Sequence, residues 1–208
     1  MEKQISKQTL NRLPTYLSLL QEKEKENLKY ISATEIAKIL GLNHVQVRKD
    51  LSCASCAGRP KVGYETAVLI HDLEGFLGYN NSKDAIIVGA GGLGKTLLGY
   101  EGFNDYGLNI VAAFDVDETV CGTFVGEKPI FPLSRLSDMV KRMNIHIGII
   151  TTPKSAAQKT CDLLIECGVL AIWNFAPTTL QAPAHIIIQN ENMAAGLAVL
   201  SNKLNKTL

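Results

Sequence analysis

The chain has 208 residues, a hydrophobic fraction of 46% and a formal net charge of +1, a length that suits a small module joined to a domain of about 120 residues. No apolar run reaches the roughly 18 residues a membrane span needs, and the polar start MEKQISKQ lacks a signal-peptide pattern, so a soluble, cytoplasmic protein with no membrane partner is expected. Five cysteines, an odd and sparse set, exclude a dense disulfide scaffold and point to reduced thiols.

Leu10, Leu13, Leu17 and Leu20 recur at spacings of three and four, which predicts a first helix over residues 7–27 with one apolar face. Pro14 lies inside it and either kinks the helix or delays its start. SATE, Ser32 to Glu35, is a capping box ahead of Ile36, Ala37, Ile39 and Leu40, and Gly41 supplies the stop. Asn43 caps a third helix, HVQVRKDLS, after only a Gly-Leu-Asn connection, which is the layout of a helix-turn-helix whose last helix reads DNA. Between His44 and Tyr64, four cations (Arg48, Lys49, Arg59, Lys61) stand against one acid, Asp50, a local balance of +3 able to meet phosphates. Residues 22–26 alternate in sign instead and read as a solvated helix end. Ala57 to Tyr64 suits a turn and short strands, as in the wing of a winged-helix module, followed by an amphipathic helix from Glu65 to Leu77 and a linker, GYNNSKD.

From Ala85 the rhythm changes to alternating strands and helices: AIIVGA, a glycine turn, NIVAAFD, a helix near Ser134 to Met143, IHIGIITT, a helix from Ser155 to Cys167, VLAIWNF and HIIIQN. This is an α/β pattern, a parallel sheet covered on both faces. GAGGLGKT, Gly89 to Thr96, satisfies the dinucleotide fingerprint through Gly89, Gly91 and Gly94, and the triphosphate loop through Gly89, Gly94, Lys95 and Thr96. Asp115 closes the next strand, where an acid takes the ribose hydroxyls, whereas the later strand IHIGIITT ends in threonines and offers no carboxylate for magnesium. The dinucleotide reading is preferred, with NAD(H) over NADP(H), because Asp115 repels a 2′-phosphate. No catalytic group is expected: His146 and His185 open their strands, away from the carboxyl ends where ligands bind, and Lys154 reads as an exposed helix-start lysine. Met193, Leu197, Leu200 and Leu204 recur at four, three and four, so the last helix carries a stripe that must be buried against something.

A basic helix-turn-helix ahead of a Rossmann domain without a catalytic group is a rare combination, and specific strings narrow it. RLPTYL from Arg12, QVRKDLS from Gln46, VGY from Val62, VGAGGLG from Val88, Gly102 with Phe103, AAFDVD from Ala112 and NFAP from Asn174 stand in the order of their counterparts in the Rex family of redox-sensing transcriptional repressors, which this chain resembles over nearly its whole length. The resemblance implies an N-terminal winged-helix domain over residues 1–80, a Rossmann NAD(H)-binding domain over 81–190 and a C-terminal helix over 191–208 swapped within a homodimer. It implies a repressor that binds an inverted-repeat operator in double-stranded DNA, NADH releasing that DNA. Carried over by position, Gly89, Gly91 and Gly94, with Gly92 and Leu93 between them, cradle the pyrophosphate. Asp115 binds the adenosine ribose, Thr152, Pro153 and Pro177 lie toward the nicotinamide, and Tyr100 lies near the coenzyme or packs its helix. His44, Gln46, Arg48, Lys49, Ser52, Arg59, Lys61 and Tyr64 form the expected DNA-binding set. Two alternatives stay open: a DNA-binding regulator that keeps NAD(H) structurally and answers another signal such as thiol oxidation, and an NAD-dependent oxidoreductase.

Three departures stand out. The family's aromatic, glycine-rich segment before VGY is here CASCAGRPK, its arginine replaced by Pro60 between Arg59 and Lys61. An arginine–aspartate pair of the family becomes Ser18 and Asn192, and its aromatic beside the nicotinamide becomes Met193. Cys53 and Cys56 at the end of the reading helix allow three readings: a thiol–disulfide switch, half of a metal site completed elsewhere, or small side chains packing where aromatics usually sit. No other pair in the module has metal-ligand spacing, so no metal is expected.

Overall fold

The structure, a computed structural model, describes residues 5–80 and 83–206, except for the side chain of Met193. The chain divides into two compact units, Met1–Asn81 and Ser82–Leu208. Among the described residues, no helix is long and apolar enough to cross a membrane.

The first unit contains α1 (Lys7–Lys25), β1 (Tyr30–Ile31), α2 (Ala33–Leu40), α3 (His44–Ala54), β2 (Tyr64–Glu65) and α4 (Thr66–Leu77). Helix α1 begins where Ser6 caps it, its hydroxyl accepting from the N–H of Thr9 at 3.1 Å, and runs through Pro14 to Lys25. The start is therefore not delayed. The expected apolar face is rotated: Leu10 is exposed, and Thr9, Leu13, Tyr16, Leu17, Leu19 and Leu20 point inward. Helix α2 follows the capping signal, with the Ser32 hydroxyl accepting from Glu35 N–H at 3.1 Å and Gly41 closing it at φ 66°. Strands β1 and β2 pair antiparallel, Ile31 opposite Tyr64.

The rotation of α1 has one cause, the carboxylate of Asp50. This side chain of α3 is 1% exposed, and a buried charge persists only when it is paired and hydrogen-bonded. Arg12 donates from Nε at 2.7 Å and from a terminal nitrogen at 2.9 Å, Tyr16 from its hydroxyl at 2.9 Å, Thr9 at 3.1 Å and Gln46 at 2.8 Å. Burial pushes the Asp50 pKa up, but the donors from Arg12, Tyr16, Gln46 and Thr9 outweigh it and hold the group below the usual carboxylate range. Burial first, then Asp50, pushes the Tyr16 hydroxyl up to about 12.

The second unit is a seven-stranded sheet in the order β5-β6-β4-β3-β7-β8-β9, where β3 is Lys83–Val88, β4 Leu108–Asp115, β5 Phe124–Val125, β6 Lys128–Pro132, β7 Ile147–Ile150, β8 Ala171–Asn174 and β9 Ile187–Asn190. All neighbours pair parallel except β5 with β6. The hairpin β5–β6 is a correction to the expected elements: KPIFP carries prolines that read as breakers, yet they sit near the two ends of a short strand, where a missing N–H is tolerated. Strand residues alternate between two cores. Ile86, Val88 and Phe114 face α6 (Leu136–Met143) and α7 (Lys154–Glu166), while Ala85, Ile87 and Ile149 pack with Leu98 of α5 (Gly92–Gly99). Strand order reverses at β3, with β4 on one side and β7 on the other, and the carboxyl ends of β3 and β7 open a crevice of the kind in which nucleotides bind. Helix α8 (Met193–Asn205) ends the unit with Leu197, Val199, Leu200 and Leu204 exposed.

Replacing Arg12 by Ala strands a buried carboxylate, and the expected loss is about 3 kcal/mol in the stability of the first unit, measured as a shift of its urea midpoint. A depressed folded pKa gives Asp50 a contribution that is complete above its unfolded value near 4 and is lost as pH falls through the lower folded value. Tyr16 works in the opposite sense: its contribution is complete below about 10 and disappears as pH rises through about 12. Arg12→Ala therefore weakens the acid limb of the stability profile, and Tyr16→Phe the alkaline limb.

Candidate nucleic-acid and dinucleotide sites

Asn43 starts the reading helix by accepting from the N–H groups of Val45 (2.8 Å) and Gln46 (3.4 Å). With Val47, Asp50 and Leu51 turned into the core, helical spacing leaves His44, Gln46, Arg48, Lys49 and Ser52 exposed on the outer side of α3. Asp50, the acid that would oppose phosphates there, is neutralised from behind by Arg12. Gln46 gives one amide N–H to Asp50, and the Ser52 hydroxyl donates to the Lys49 carbonyl at 2.8 Å.

The wing survives the altered segment. Arg59 and Gly63 exchange backbone hydrogen bonds of 2.8 and 2.9 Å around Pro60, Lys61 and Val62. Pro60 presets the first turn position, and Lys61 takes the left-handed region at φ 65°, where glycine or asparagine is usual. Gly63, at φ 93°, lies so close to the Ile31 carbonyl that a Cβ has no room. Arg59 and Lys61 are exposed on this loop, and an open cavity of about 550 Å³ separates it from Arg48 and the start of α2. Tyr64 departs from expectation, since it is buried, with its ring 2.8 Å from where a Cβ on Gly58 would sit. It supports the wing from beneath instead of presenting a ring face to solvent. Burial raises its hydroxyl pKa, with Arg48 opposing and Cys56 adding.

In the second unit, Gly89 turns the chain after β3 at φ 103°, a conformation that favours glycine, and a Cβ there would meet the backbone of Thr151 and Thr152 at 2.9 Å. The Thr151 hydroxyl donates to the Gly89 carbonyl at 2.6 Å, and Gly94 packs so tightly on that same carbonyl that no side chain fits. Gly91 and Gly92 are different: a Cβ on either meets nothing within 4 Å. The loop is thus closed where it packs on protein and open where a ligand's phosphates would approach the N-terminus of α5. Asp115, ending β4, accepts from Ala90 N–H at 2.5 Å and from Asp117 N–H at 2.9 Å, which fixes its carboxylate beside the loop.

An open cavity of about 770 Å³ runs from this loop across the crevice. Gly89, Gly91, Asp115, Thr152, Pro153 and Pro177 line it, while Gly92, Leu93 and Gly94 form the adjoining first turn of α5. Thr152 brings a buried hydroxyl oxygen with no partner among the described residues. Such an orphan carries a desolvation cost that a polar ligand can offset, so the cavity fits an extended dinucleotide on two independent grounds, the unfilled glycines and the unpaired hydroxyl. Tyr100 is not part of the wall. It lies half exposed at the end of α5, edge-on to Phe103 at 4.9 Å, and an aromatic series through Phe103 and Trp173 leads from it to Phe175 in the wall. The Met193 side chain lies outside the described residues.

Wall residues absent from the expected set include Lys159, Thr160, Leu163 and Phe175. The first three share one face of α7 with Ala156, a spacing of three and four that the sequence carries but that has meaning only once α7 is known to start at the cavity. Phe175 and Pro177 are held by Asn174, which is fully buried and donates to the Thr178 carbonyl and the Asn190 side chain, both at 2.8 Å, while accepting from Ala176 N–H at 3.0 Å. Among the described residues, no cluster of three or more His, Cys, Asp or Glu could hold a metal ion.

Comparison with known proteins bears on both sites. Residues 4–52 match a family described as a putative DNA-binding protein N-terminus, and residues 80–178 match the CoA binding domain family. The redox-sensing transcriptional repressor Rex of Treponema denticola is 41% identical over 95% of this chain and 94% of its own, and that of Bacteroides fragilis 40% over 95% and 90%. Among solved structures, RSP in complex with β-NAD+ and operator DNA superposes with a TM-score of 0.92 at 32% identity, covering 99% of this chain and 94% of RSP. RSP in complex with β-NADH gives 0.89 at 32%, covering 99% and 96%.

The two kinds of glycine make a paired prediction. Gly91→Ala is expected to fold with an unchanged melting temperature and to lose at least about tenfold in NADH affinity by fluorescence titration, since its methyl meets only the ligand. Gly94→Ala is expected to lose about 2 kcal/mol of stability in the second unit, because its methyl meets the Gly89 carbonyl. Equal NADH affinity for Gly91→Ala and the parent would remove the phosphate role of the loop.

Proposed function

The chain belongs to the Rex family of redox-sensing transcriptional repressors, and on that premise we propose that it is a dimeric repressor that binds an inverted-repeat operator and releases it when NADH occupies the crevice. The observation that carries this reading is the pairing of an outward cationic helix and wing in one unit with an open dinucleotide loop in the other. The relatives' names and the RSP complexes with operator DNA, NAD+ and NADH support it.

In this proposal α3 enters the major groove. His44 and Gln46 at its N-terminal end, with Lys49 and Ser52, reach base edges, while Arg48 and the wing residues Arg59 and Lys61 take phosphates or the adjacent minor groove. Tyr64 acts indirectly by holding the wing. Gly91 and Gly92 admit the pyrophosphate to the N–H groups of α5, Asp115 accepts from the adenosine ribose, and Thr152, Pro153 and Pro177 line the approach to the nicotinamide. A carboxylate at the ribose disfavours coenzymes that carry a phosphate there, which argues for NAD(H) against NADP(H) or coenzyme A. Tyr100 is assigned no direct contact.

Helix α8 supports a dimer, since its apolar stripe is exposed in a single chain and a second copy is the proposed cover. The position of the family's aspartate is held by Asn192, whose Oδ1 caps α8 by accepting from Ala195 N–H at 3.0 Å. Discrimination between NADH and NAD+ is therefore assigned to the coenzyme cavity and the dimer, and not to an ion pair at this position.

Fluorescence anisotropy of an inverted-repeat operator duplex at fixed salt tests the reading. Release by micromolar NADH but not by NAD+ is the expected result, and tight binding indifferent to both would refute redox sensing by the coenzyme. Lys49→Ala is expected to weaken the operator complex about tenfold. Arg59→Ala, as a phosphate contact, is expected to weaken binding on all sequences and to lower the salt slope by about 1.

A further inference from the structure

Two thiols remain outside the proposed function. Cys53 and Cys56 are both exposed, whereas Cys161 and Cys167 are buried and Cys121 is partly covered. Burial, then Asp115 and Asp117, pushes the Cys121 thiol up, and burial does the same to Cys161, so the exposed pair is the most reactive candidate by access. Between its members α3 ends. Ala54 is the last helical residue of α3, and Ser55 is extended at φ −137° and ψ 135°. An αR residue followed by an extended one is the dihedral sequence of a type VIII turn, which brings the first and fourth Cα atoms to about 7 Å, at the upper edge of what a disulfide spans.

The helix end is anchored from inside. Ser55 is buried, its hydroxyl donates to Asp72 of α4 at 2.5 Å and accepts from Ala57 N–H at 3.2 Å, and its N–H closes the last turn of α3 on the Leu51 carbonyl at 2.9 Å. With Ser55 turned inward, the cysteines on either side of it face solvent. Cys53 donates to the Lys49 carbonyl at 3.4 Å, and Cys56 stands three residues before Arg59, where the wing begins, close enough to Tyr64 to affect its ionisation.

We propose that Cys53 and Cys56 form a reversible dithiol–disulfide switch, oxidised by hydroperoxides, that joins the end of the reading helix to the base of the wing and weakens operator binding. One thiolate attacks the peroxide O–O bond, giving a sulfenic acid and releasing the alcohol, or water from hydrogen peroxide. The second thiol attacks the sulfenic sulfur, forming the S–S bond and expelling water, so two thiols and one hydroperoxide yield one disulfide, one alcohol and one water. Because the pair starts at the edge of disulfide reach, closing the bond tightens the last turn of α3 and draws Cys53 from the Lys49 carbonyl. The strain falls between Lys49 and Arg59, two residues assigned to DNA. This step rests on the proposed operator binding for its output but not for its chemistry.

The test uses the full chain, reduced, then treated with hydrogen peroxide, with peptide mass mapping and operator anisotropy on the same samples and NADH absent. The parent is expected to lose two hydrogens in the peptide joining Cys53 and Cys56, to bind operator at least tenfold more weakly, and to recover both mass and affinity with dithiothreitol. The single variants Cys53→Ser and Cys56→Ser, each retaining the other four thiols, are expected to bind operator as the reduced parent does and to keep that affinity after peroxide. A missing Cys53–Cys56 disulfide, a disulfide without change in affinity, or equal loss in the serine variants would overturn the switch. Failure of the reduced parent to bind operator would instead refute the repressor reading, while the mass map would still decide whether the bond forms.

Discussion

A carboxylate buried on the one helix that should meet phosphates constrains the first unit more than any other group. Asp50 tolerates burial only because Thr9, Arg12, Tyr16 and Gln46 all donate to it, and three of these lie on α1. That requirement sets the rotation of α1, which is why Thr9 and Tyr16 point inward and Leu10 does not. It also sets the rotation of α3: once residue 50 is fixed inward with Val47 and Leu51, residues 48, 49 and 52 can only face out. The charge of Arg12 is spent within the fold, while cations on the opposite side of α3 and on the wing stay free for a polyanion.

The second unit solves a different problem, close approach without a side chain in the way. The Gly89 carbonyl is held from two directions, by the Thr151 hydroxyl and by the bare backbone of Gly94. Asp115 reaches back to Ala90, so the strand that supplies the ribose-binding position also stiffens the loop. Three neighbours fix the loop before any ligand arrives, and Gly91 and Gly92 are left as its unfilled part. A site ordered in advance loses less entropy on binding.

Much of this was legible in the sequence because the signals were local. Capping residues Ser32 and Asn43, the stop at Gly41 and the apolar runs of the buried strands are properties of a few neighbouring residues, and they placed α2, α3 and every parallel strand but β6. What escaped depended on residues far apart in the chain. Asp50 could be read only as an acid in a basic stretch until Arg12 and Tyr16 were seen to reach it. The wall formed by Lys159, Thr160 and Leu163 needed the position of α7, and the burial of Tyr64 needed the pairing of β2 with β1 and the cover of Gly58. Of the two readings of Tyr100, near the coenzyme or packing its helix, the aromatic contacts with Phe103 and onward to Trp173 and Phe175 favour packing in the single chain. The β5–β6 hairpin was hidden by Pro129 and Pro132, breakers in a central strand but harmless at the limits of a short one.

The last helix links these local solutions to the proposed regulation. A helix of this length is marginal in water by itself and takes its stability from an apolar face that is covered. Leu197, Val199, Leu200 and Leu204 are uncovered in the single chain, so in the proposed dimer the order of α8 depends on a second copy. An equilibrium between two dimer arrangements is then available to a ligand, which can shift it only by contacting the two differently. With Ser18 and Asn192 in place of a charged pair, no ion pair at those positions biases that equilibrium beforehand. In the proposed dimer the difference between NADH and NAD+ is assigned to the cavity wall from Thr152 to Pro177, where the nicotinamide end is placed, and to how that wall bears on the partner's helix.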